Sequence, residues 1–162
     1  MAFTIVSFAI EENQIECLEY ALSVHCPYAE NASTTAASLG HLECLQLLHT
    51  YGCEFDSTVC ECAAGRNHLS CLIFAHTHGS ELNEESHFRA LKHGYLDIIK
   101  YVYEAGIPFS RRLCHTAIYH GQLGCLKFMI ENGCPWVEEP LKEALQFKQL
   151  EIYEYALQCG FV

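Results

Sequence analysis

The sequence repeats itself every 27 residues, and this period constrains the fold more than any other feature. The stretch Ala36–Cys53 returns in altered form as Ala63–Ser80, Ala90–Ile107 and Ala117–Cys134. With one further copy at each end, six alanines fall in one column: Ala9, Ala36, Ala63, Ala90, Ala117 and Ala144. A fixed period without insertion or deletion is typical of arrays whose units stack on their neighbours. We therefore expect a single repeat domain over residues 1–162.

Each copy has the pattern of two short helices. The first carries the alanine column and ends at a turn residue: Asn13, Gly40, Asn67, Gly94, Gly121 or Lys148. The second begins at an aliphatic residue: Ile15, Leu42, Leu69, Leu96, Leu123 or Leu150. Apolar residues then follow at helical spacing. Residues that could cap the first helices are Ser57, Ser110, Glu84 and Glu138. The pattern predicts an all-α solenoid of six stacked helix-turn-helix repeats, near 3–29, 30–56, 57–83, 84–110, 111–137 and 138–162.

The best-preserved copy resembles a known repeat. Ala36-Ala37-x-x-Gly40-His41-Leu42-Glu43, followed by Leu47-Leu48 and Gly52, is similar to the AAxxGHLEVVKLLLxxGAD core of the ankyrin repeat. Glu139-Pro140-Leu141 resembles the TPL start of that family's first helix. The resemblance implies helix pairs that bind other proteins and carry no catalytic chemistry.

The copies depart from the family in length. Ankyrin repeats have about 33 residues, and the residues missing here lie where the family forms a protruding β-hairpin finger. We expect the fingers to be absent or vestigial. Short, Cys-rich copies resemble the ankyrin-like arrays of giant DNA viruses and some protists. This likeness implies a viral protein that binds a host protein in the host cytoplasm.

Composition argues against several classes of partner. The chain has 9 basic and 20 acidic residues, a net charge of −11. A strongly acidic chain is a poor match for nucleic acid or for an anionic membrane surface. No apolar run approaches the roughly 18 residues of a membrane-spanning helix, and the opening segment lacks the features of a signal peptide. The initiating Met and the polar last copy favour a complete chain. Because no export signal is found, we expect the protein in the cytoplasm or nucleus.

The eleven cysteines follow the repeat rather than a disulfide pattern. Cys17, Cys44, Cys71 and Cys125 share a column with Ile98 and Ile152, which is typical of cysteine used as a small apolar core residue. No Cys-x-x-Cys pair exists, and same-column residues such as Cys60, His87 and Cys114 are predicted to lie too far apart to share a metal. We expect no cofactor. A Cys/His-rich metal-binding or redox protein stays open as the alternative, which elemental analysis of untagged protein would test.

A nucleophilic enzyme is a weaker hypothesis. Cys114-His115 and the nearby His120 are the residue types that such a mechanism needs. No third residue is placed to orient the base, and an open stack implies no pocket. We therefore expect the protein not to be an enzyme.

The resemblance places protein binding on the first helices, which line the concave face of ankyrin stacks. Aromatic, basic and adaptable polar residues near the turns have the composition of an interface. The candidate residues are Leu39, Arg66, Arg89, Lys92, His93, Arg111, Arg112, Tyr119, His120 and Phe147. Their charge predicts a partner with an acidic patch.

The terminal copies differ from the central ones. Phe3, Ile5, Val6 and Phe8 are more apolar residues than one inward face can bury. We expect them to form a patch for a partner or for a second copy, which would make a homodimer or a structural assembly. The last copy has many polar residues and is expected to act as a cap.

Overall fold

The computed structural model describes residues 4–161, which form twelve short α-helices and no strand. In chain order these are α1 (Thr4–Glu11), α2 (Ile15–Ser23), α3 (Ala32–Leu39), α4 (Leu42–Thr50), α5 (Ser57–Gly65), α6 (Leu69–Thr77), α7 (Glu84–Leu91), α8 (Leu96–Glu104), α9 (Arg111–Tyr119), α10 (Leu123–Glu131), α11 (Pro140–Gln146) and α12 (Leu150–Gln158). All six second helices begin at the predicted aliphatic residues. The all-α prediction is confirmed, and the described part of the chain has no β-hairpin finger.

The chain divides into two compact units, Met1–Leu82 and Asn83–Val162. Within the first unit α3 packs against both α1 and α5, and α4 packs against α2 and α6. Within the second unit α9 packs against α7 and α11, and α10 packs against α8. Each unit is therefore a stack of three helix pairs in which first helix lies on first helix. A single domain over residues 1–162 stays a prediction.

The alanine column lies at the centre of this packing. Ala9, Ala36 and Ala63 in the first unit and Ala90, Ala117 and Ala144 in the second are all buried. A larger side chain at these positions would overpack the contact between helices. The cysteine column is also buried at Cys44, Cys71 and Cys125, whereas Cys17 is exposed in the first repeat.

Every inner turn, between the two helices of a repeat, passes through a residue with positive φ. Three are glycines, and the others are Asn13, Asn67 and Lys148. At Gly121, where φ is +69°, a Cβ atom would lie 2.5 Å from Gln149 Oε1. Glycine at this position therefore provides both the left-handed backbone and room for the next repeat.

The residue after the inner turn connects neighbouring repeats. His41 Nδ1 lies 2.7 Å from the carbonyl oxygen of Ile10, so this nitrogen carries the proton and donates it. Gln149 Nε2 donates to the carbonyl of Tyr119 at 3.5 Å in the same way. Carbonyl groups at the end of the preceding first helix thus accept an additional hydrogen bond from the following repeat.

The predicted caps are wrong in two copies. Ser57 and Glu84 are the first helical residues of α5 and α7, and the caps are Asp56 and Asn83 one residue earlier. The Asp56 carboxylate accepts from the Thr58 amide at 3.0 Å, as short side-chain oxygens do at helix starts.

The other two predicted caps also differ. Ser110 occupies the N-cap of α9 but makes no capping hydrogen bond, and its hydroxyl donates to Glu84. Glu139, rather than Glu138, precedes α11.

The last repeat exposes more apolar surface than the polar cap that the sequence predicts. Leu145 is 53% exposed, although Leu91 and Ile118, at the same position of the two preceding repeats, are fully buried. Leu150 and Leu157 are exposed as well. The polar residues of this copy do not cover its final face. Among residues 4–161 no helix has the length and apolar character needed to cross a membrane.

Candidate functional site

Five of the ten predicted binding residues lie together at the inner turns of the second unit. Lys92 and His93 follow α7, Tyr119 ends α9, His120 follows it, and Phe147 follows α11. We call these five residues the inner-turn cluster. They come from three successive repeats, because stacking places the carboxyl ends of α7, α9 and α11 on one side of the unit.

Tyr119 is the centre of the cluster. Its ring meets Phe147 edge to face, with centroids 4.9 Å apart, and meets His120 in the same manner at 4.9 Å. Despite these contacts Tyr119 remains 53% exposed. Edge-to-face contacts fix ring orientations. The cluster therefore presents to solvent an aromatic surface whose ring orientations are fixed by these contacts.

The other side of the cluster is basic. Burial lowers the pKa of His120, and the positive charges of Lys92 and His93 lower it further. These three residues are therefore close enough to interact, and His120 is held toward its neutral form. Gln122 Nε2 donates to the Lys92 carbonyl at 3.5 Å, and this hydrogen bond links the repeat of α9 and α10 to the repeat of α7 and α8.

Arg112 extends this surface toward the start of α9. Its guanidinium carbon lies 5.0 Å from the centroid of the Phe88 ring, and the side chain is exposed. A cation over an aromatic face is held in place without losing its charge. Arg112 and Lys92 are the two predicted lysine or arginine residues of the second unit for which the described part of the chain shows no ion pair.

The other two basic residues of the second unit are partly neutralised. Arg89 Nε lies 3.1 Å from Glu85 Oε1, and Arg111 Nη1 lies 3.0 Å from Glu138 Oε1. The basic excess on these helices is therefore smaller than the sequence indicated. One reason is that α7 begins at Glu84, so that Glu84 and Glu85 lie in its first turn.

Leu39 and Arg66 belong to the first unit. Leu39 is the last residue of α3 and is partly exposed, and Arg66 directly follows α5. No acidic group pairs with Arg66 in the described residues. These two positions stay predictions as binding residues.

Two contributors to the surface were not predicted. His115 lies 5.7 Å from Phe147 between ring centroids, and its Nε2 atom is 3.8 Å from Glu143 Oε2. Phe88 supports Arg112. The spacing of Arg112, His115 and Tyr119, three and then four residues, was the available signal, because such residues share one face of a helix.

The N-terminal apolar patch is only partly as predicted. Ile5 and Phe8 are 61% and 60% exposed. Val6 is 1% exposed, so the prediction that it belongs to this patch is wrong: it faces the interior from the other side of α1. Phe3 lies outside the described residues.

The catalytic residue types do not converge. Cys114 is fully buried, whereas the side chain of the adjacent His115 is half-exposed. Neighbouring residues on a helix point in different directions, so this pair has no shared site. Among residues 4–161 no group of three or more His, Cys, Asp or Glu side chains is arranged to hold a metal ion.

Comparisons with known proteins establish the fold. No family profile and no curated protein matches the sequence. The crystal structure of the human ASB11 ankyrin repeat domain superimposes with a TM-score of 0.81 over 97% of this chain and 84% of that chain, at 15% sequence identity. The chain therefore has the ankyrin-repeat fold and is an all-α repeat protein of the solenoid class. The expected resemblance in fold is confirmed.

Proposed function

We propose that this chain is a non-catalytic protein-interaction module that binds through the inner-turn cluster and Arg112. The ankyrin-repeat fold generally serves protein–protein interaction. The observation that carries the assignment is Tyr119, an exposed aromatic side chain held by His120 and Phe147 beside an unpaired cation, Lys92. Rigid aromatic anchors flanked by charge are the residues that dominate binding energy at protein interfaces.

The partner's chemistry follows from these groups. Lys92 and Arg112 favour carboxylates, and the rings of Tyr119 and Phe147 favour an apolar or aromatic side chain. We propose that the partner presents an acidic patch next to such a side chain, in the form of a linear segment or a loop. Charge complementarity of this kind directs association and sets partner choice.

Selection from a display library of random linear peptides on the full chain tests the proposal. Selected sequences should combine Asp or Glu with an aromatic or large aliphatic residue. Their binding should weaken with added salt, because exposed charges are screened. Enrichment of basic sequences, or the absence of any enriched sequence, would contradict it.

A matched pair of variants locates the surface. Tyr119→Ala removes the centre of the cluster, and Tyr20→Ala removes an exposed tyrosine of α2, a second helix. Selected peptides should bind at least tenfold more weakly to Tyr119→Ala and with unchanged affinity to Tyr20→Ala. Equal affinity for wild type and Tyr119→Ala would exclude the cluster as the binding surface.

The biological setting is proposed from the resemblance of short, Cys-rich repeats to viral and protist arrays. On that basis the chain would be a viral protein that binds a host protein in the host cytoplasm or nucleus. Localisation of the tagged chain in transfected cells tests the compartment. Accumulation in the secretory pathway would contradict it.

A second candidate function, self-association, rests on the end faces. Ile5 is exposed, whereas Ala32 and Val59, at the same position of the next two repeats, are buried. Leu145 is the corresponding exception at the other end. In the other repeats a neighbouring repeat buries the residues at these two positions, but Ile5 and Leu145 are apolar and exposed. We propose that a second copy of the chain covers them by end-to-end association.

Sedimentation equilibrium tests self-association. The wild type should show concentration-dependent association, and Phe8→Asp or Leu145→Asp should each abolish it, because one interface would use one face from each end. A monomer at all concentrations, or association that survives both substitutions, would overturn the idea.

A further inference from the structure

In several repeats a residue of the first helix lies next to the residue 20 positions later, which is in the corner, the loop that follows the second helix. In the second repeat Ser33 and Cys53 are hydrogen-bonded through their side chains. In the third, the Cys60 amide donates to Ser80 Oγ at 3.4 Å, and Cys60 Sγ donates to the Ser80 carbonyl at 3.9 Å. In the fifth repeat both positions are cysteine, Cys114 and Cys134.

The fold brings these two thiols together. Cys134 Sγ donates to the Ser110 carbonyl at 3.5 Å, and the Cys114 amide donates to the same oxygen at 3.4 Å. The two thiols are also hydrogen-bonded to each other. Cys114 is fully buried and Cys134 is 5% exposed. Both cysteines therefore contact the Ser110 carbonyl, which places the two thiols in the same small region of the interior.

The two thiols differ in acidity. The hydrogen bond from Cys134 lowers the pKa of Cys114, and the Val137 amide and Arg111 act in the same direction against burial. The pKa of Cys134 is raised, first by its hydrogen bond to Cys114 and then by burial. By contrast, burial alone raises the pKa of Cys125 to about 11. Cys114 therefore loses its proton more readily than Cys134 or Cys125, and the thiolate is the form of cysteine that acts as a nucleophile.

We propose that Cys114 and Cys134 are a redox-sensitive pair that hydrogen peroxide converts to an intramolecular disulfide. The Cys114 thiolate attacks one peroxide oxygen, the O–O bond breaks, and the departing hydroxide takes up a proton to become water. The Cys134 sulfur then attacks the resulting sulfenic sulfur, the S–S bond forms, and a second water leaves with the Cys134 proton. Two thiols lose two electrons in total, and one peroxide is reduced to two waters.

The bond would connect α9 to the corner that follows α10. It closes a loop of about 20 residues and restricts the unfolded chain, which stabilises the folded state. The device is independent of the binding function proposed above, because neither cysteine belongs to the inner-turn cluster. A dithiol would reverse it by exchange.

Peptide mapping under non-reducing conditions tests the proposal. The full chain is treated with hydrogen peroxide at low protein concentration, blocked with a thiol reagent and digested. The expected product is a linked pair of peptides containing Cys114 and Cys134 that has lost two hydrogen atoms and separates after dithiothreitol. The melting temperature should rise by several degrees on oxidation and fall back on reduction.

Two controls keep the result interpretable. Exposed Cys159 reports that the oxidant was effective. Cys114→Ser and Cys134→Ser place serine where other repeats already have Ser33 and Ser80, so both variants should fold, form no linked peptide and show no reversible rise in melting temperature. Oxidised Cys159 together with Cys114 and Cys134 recovered as free thiols, or linked to other cysteines, would overturn the proposal.

Discussion

The rings of Tyr119 and Phe147 meet edge to face with centroids 4.9 Å apart, although the two residues belong to different repeats. Their separation of 28 positions is one more than the repeat length, so neighbouring helices place them side by side. Each repeat contributes one turn to this side of the second unit. The surface proposed for binding is therefore assembled from residues that are distant in sequence and regularly spaced.

We expect stability to depend on pH through His87. This residue is fully buried, and neither ring nitrogen has a hydrogen-bond partner among the described residues. Burial lowers its pKa to about 4 from 6.5, with Glu84 acting weakly in the opposite direction. Because the unfolded chain binds the proton more readily, the free energy of unfolding should fall by up to about 3 kcal/mol as the pH decreases from 6.5 to 4.

Urea denaturation between pH 4 and pH 7 measures this dependence. His87→Leu has a similar volume, and leucine already occupies the same position of the repeat at Leu141. This variant should be at least as stable as the wild type at pH 7 and should lose much of the slope below pH 6.5. An unchanged slope would show that other groups cause the pH dependence.

We expect the alanine column to be intolerant of larger residues. Ala117 is fully buried between α9 and its neighbours, so Ala117→Leu should lower the free energy of unfolding by about 1–3 kcal/mol through overpacking. Ala105→Leu, at an exposed helix end, provides the comparison and should change it by less than about 0.5 kcal/mol. Similar effects of both substitutions in denaturant titrations would refute this explanation of the column.

The inner turns allow a reciprocal test. Lys148 has a φ of 59° where three other repeats have glycine. Lys148→Gly should stabilise the chain by up to about 1 kcal/mol, since glycine has no penalty for the left-handed region. Gly121→Ala should destabilise it through strain and through the close approach of Gln149 Oε1. Thermal denaturation should show shifts of opposite sign; shifts of the same sign would contradict the turn geometry.

Binding of an acidic peptide should be coupled to proton uptake at His120. In the free protein burial and the charges of Lys92 and His93 lower its pKa, and a nearby carboxylate would raise it again. Affinity should therefore increase as the pH is lowered from about 7.5 to 5.5. Fluorescence anisotropy titrations measure this, and His120→Gln should reduce the pH dependence. Weaker binding at the lower pH would argue against an acidic ligand at this position.

Much of the fold could be predicted because each local sequence pattern occurs in six aligned copies. The starts of the second helices and the left-handed turns were found from aligned positions such as Leu42 and Gly40. Capping was less predictable, since Asp56 and Ser57 are both good capping residues and only the backbone decides between them. The exposure of Leu145 could not be predicted, because the number of polar residues in the last repeat does not show which face they cover.

The site was less predictable than the fold. The pairing of Arg89 with Glu85 has the spacing of helical ion pairs and could have been found. Arg111 and Glu138 are one repeat length apart, which was a second available signal. The contacts of His115 with Phe147 and of Cys114 with Cys134 join different positions of the repeat. Such contacts depend on how the helices pack, and no periodic pattern encodes them.

The location of the binding surface is tested most directly by chemical-shift mapping. Amide spectra of the isotopically labelled chain are recorded with increasing amounts of the tightest peptide from the library selection. We predict the largest shifts at residues 92–93, 112–120 and 147, at the ends of the first helices of the second unit. Shifts confined to α8, α10 and α12, with these residues unchanged, would contradict the assignment of the inner-turn cluster as the protein-binding surface.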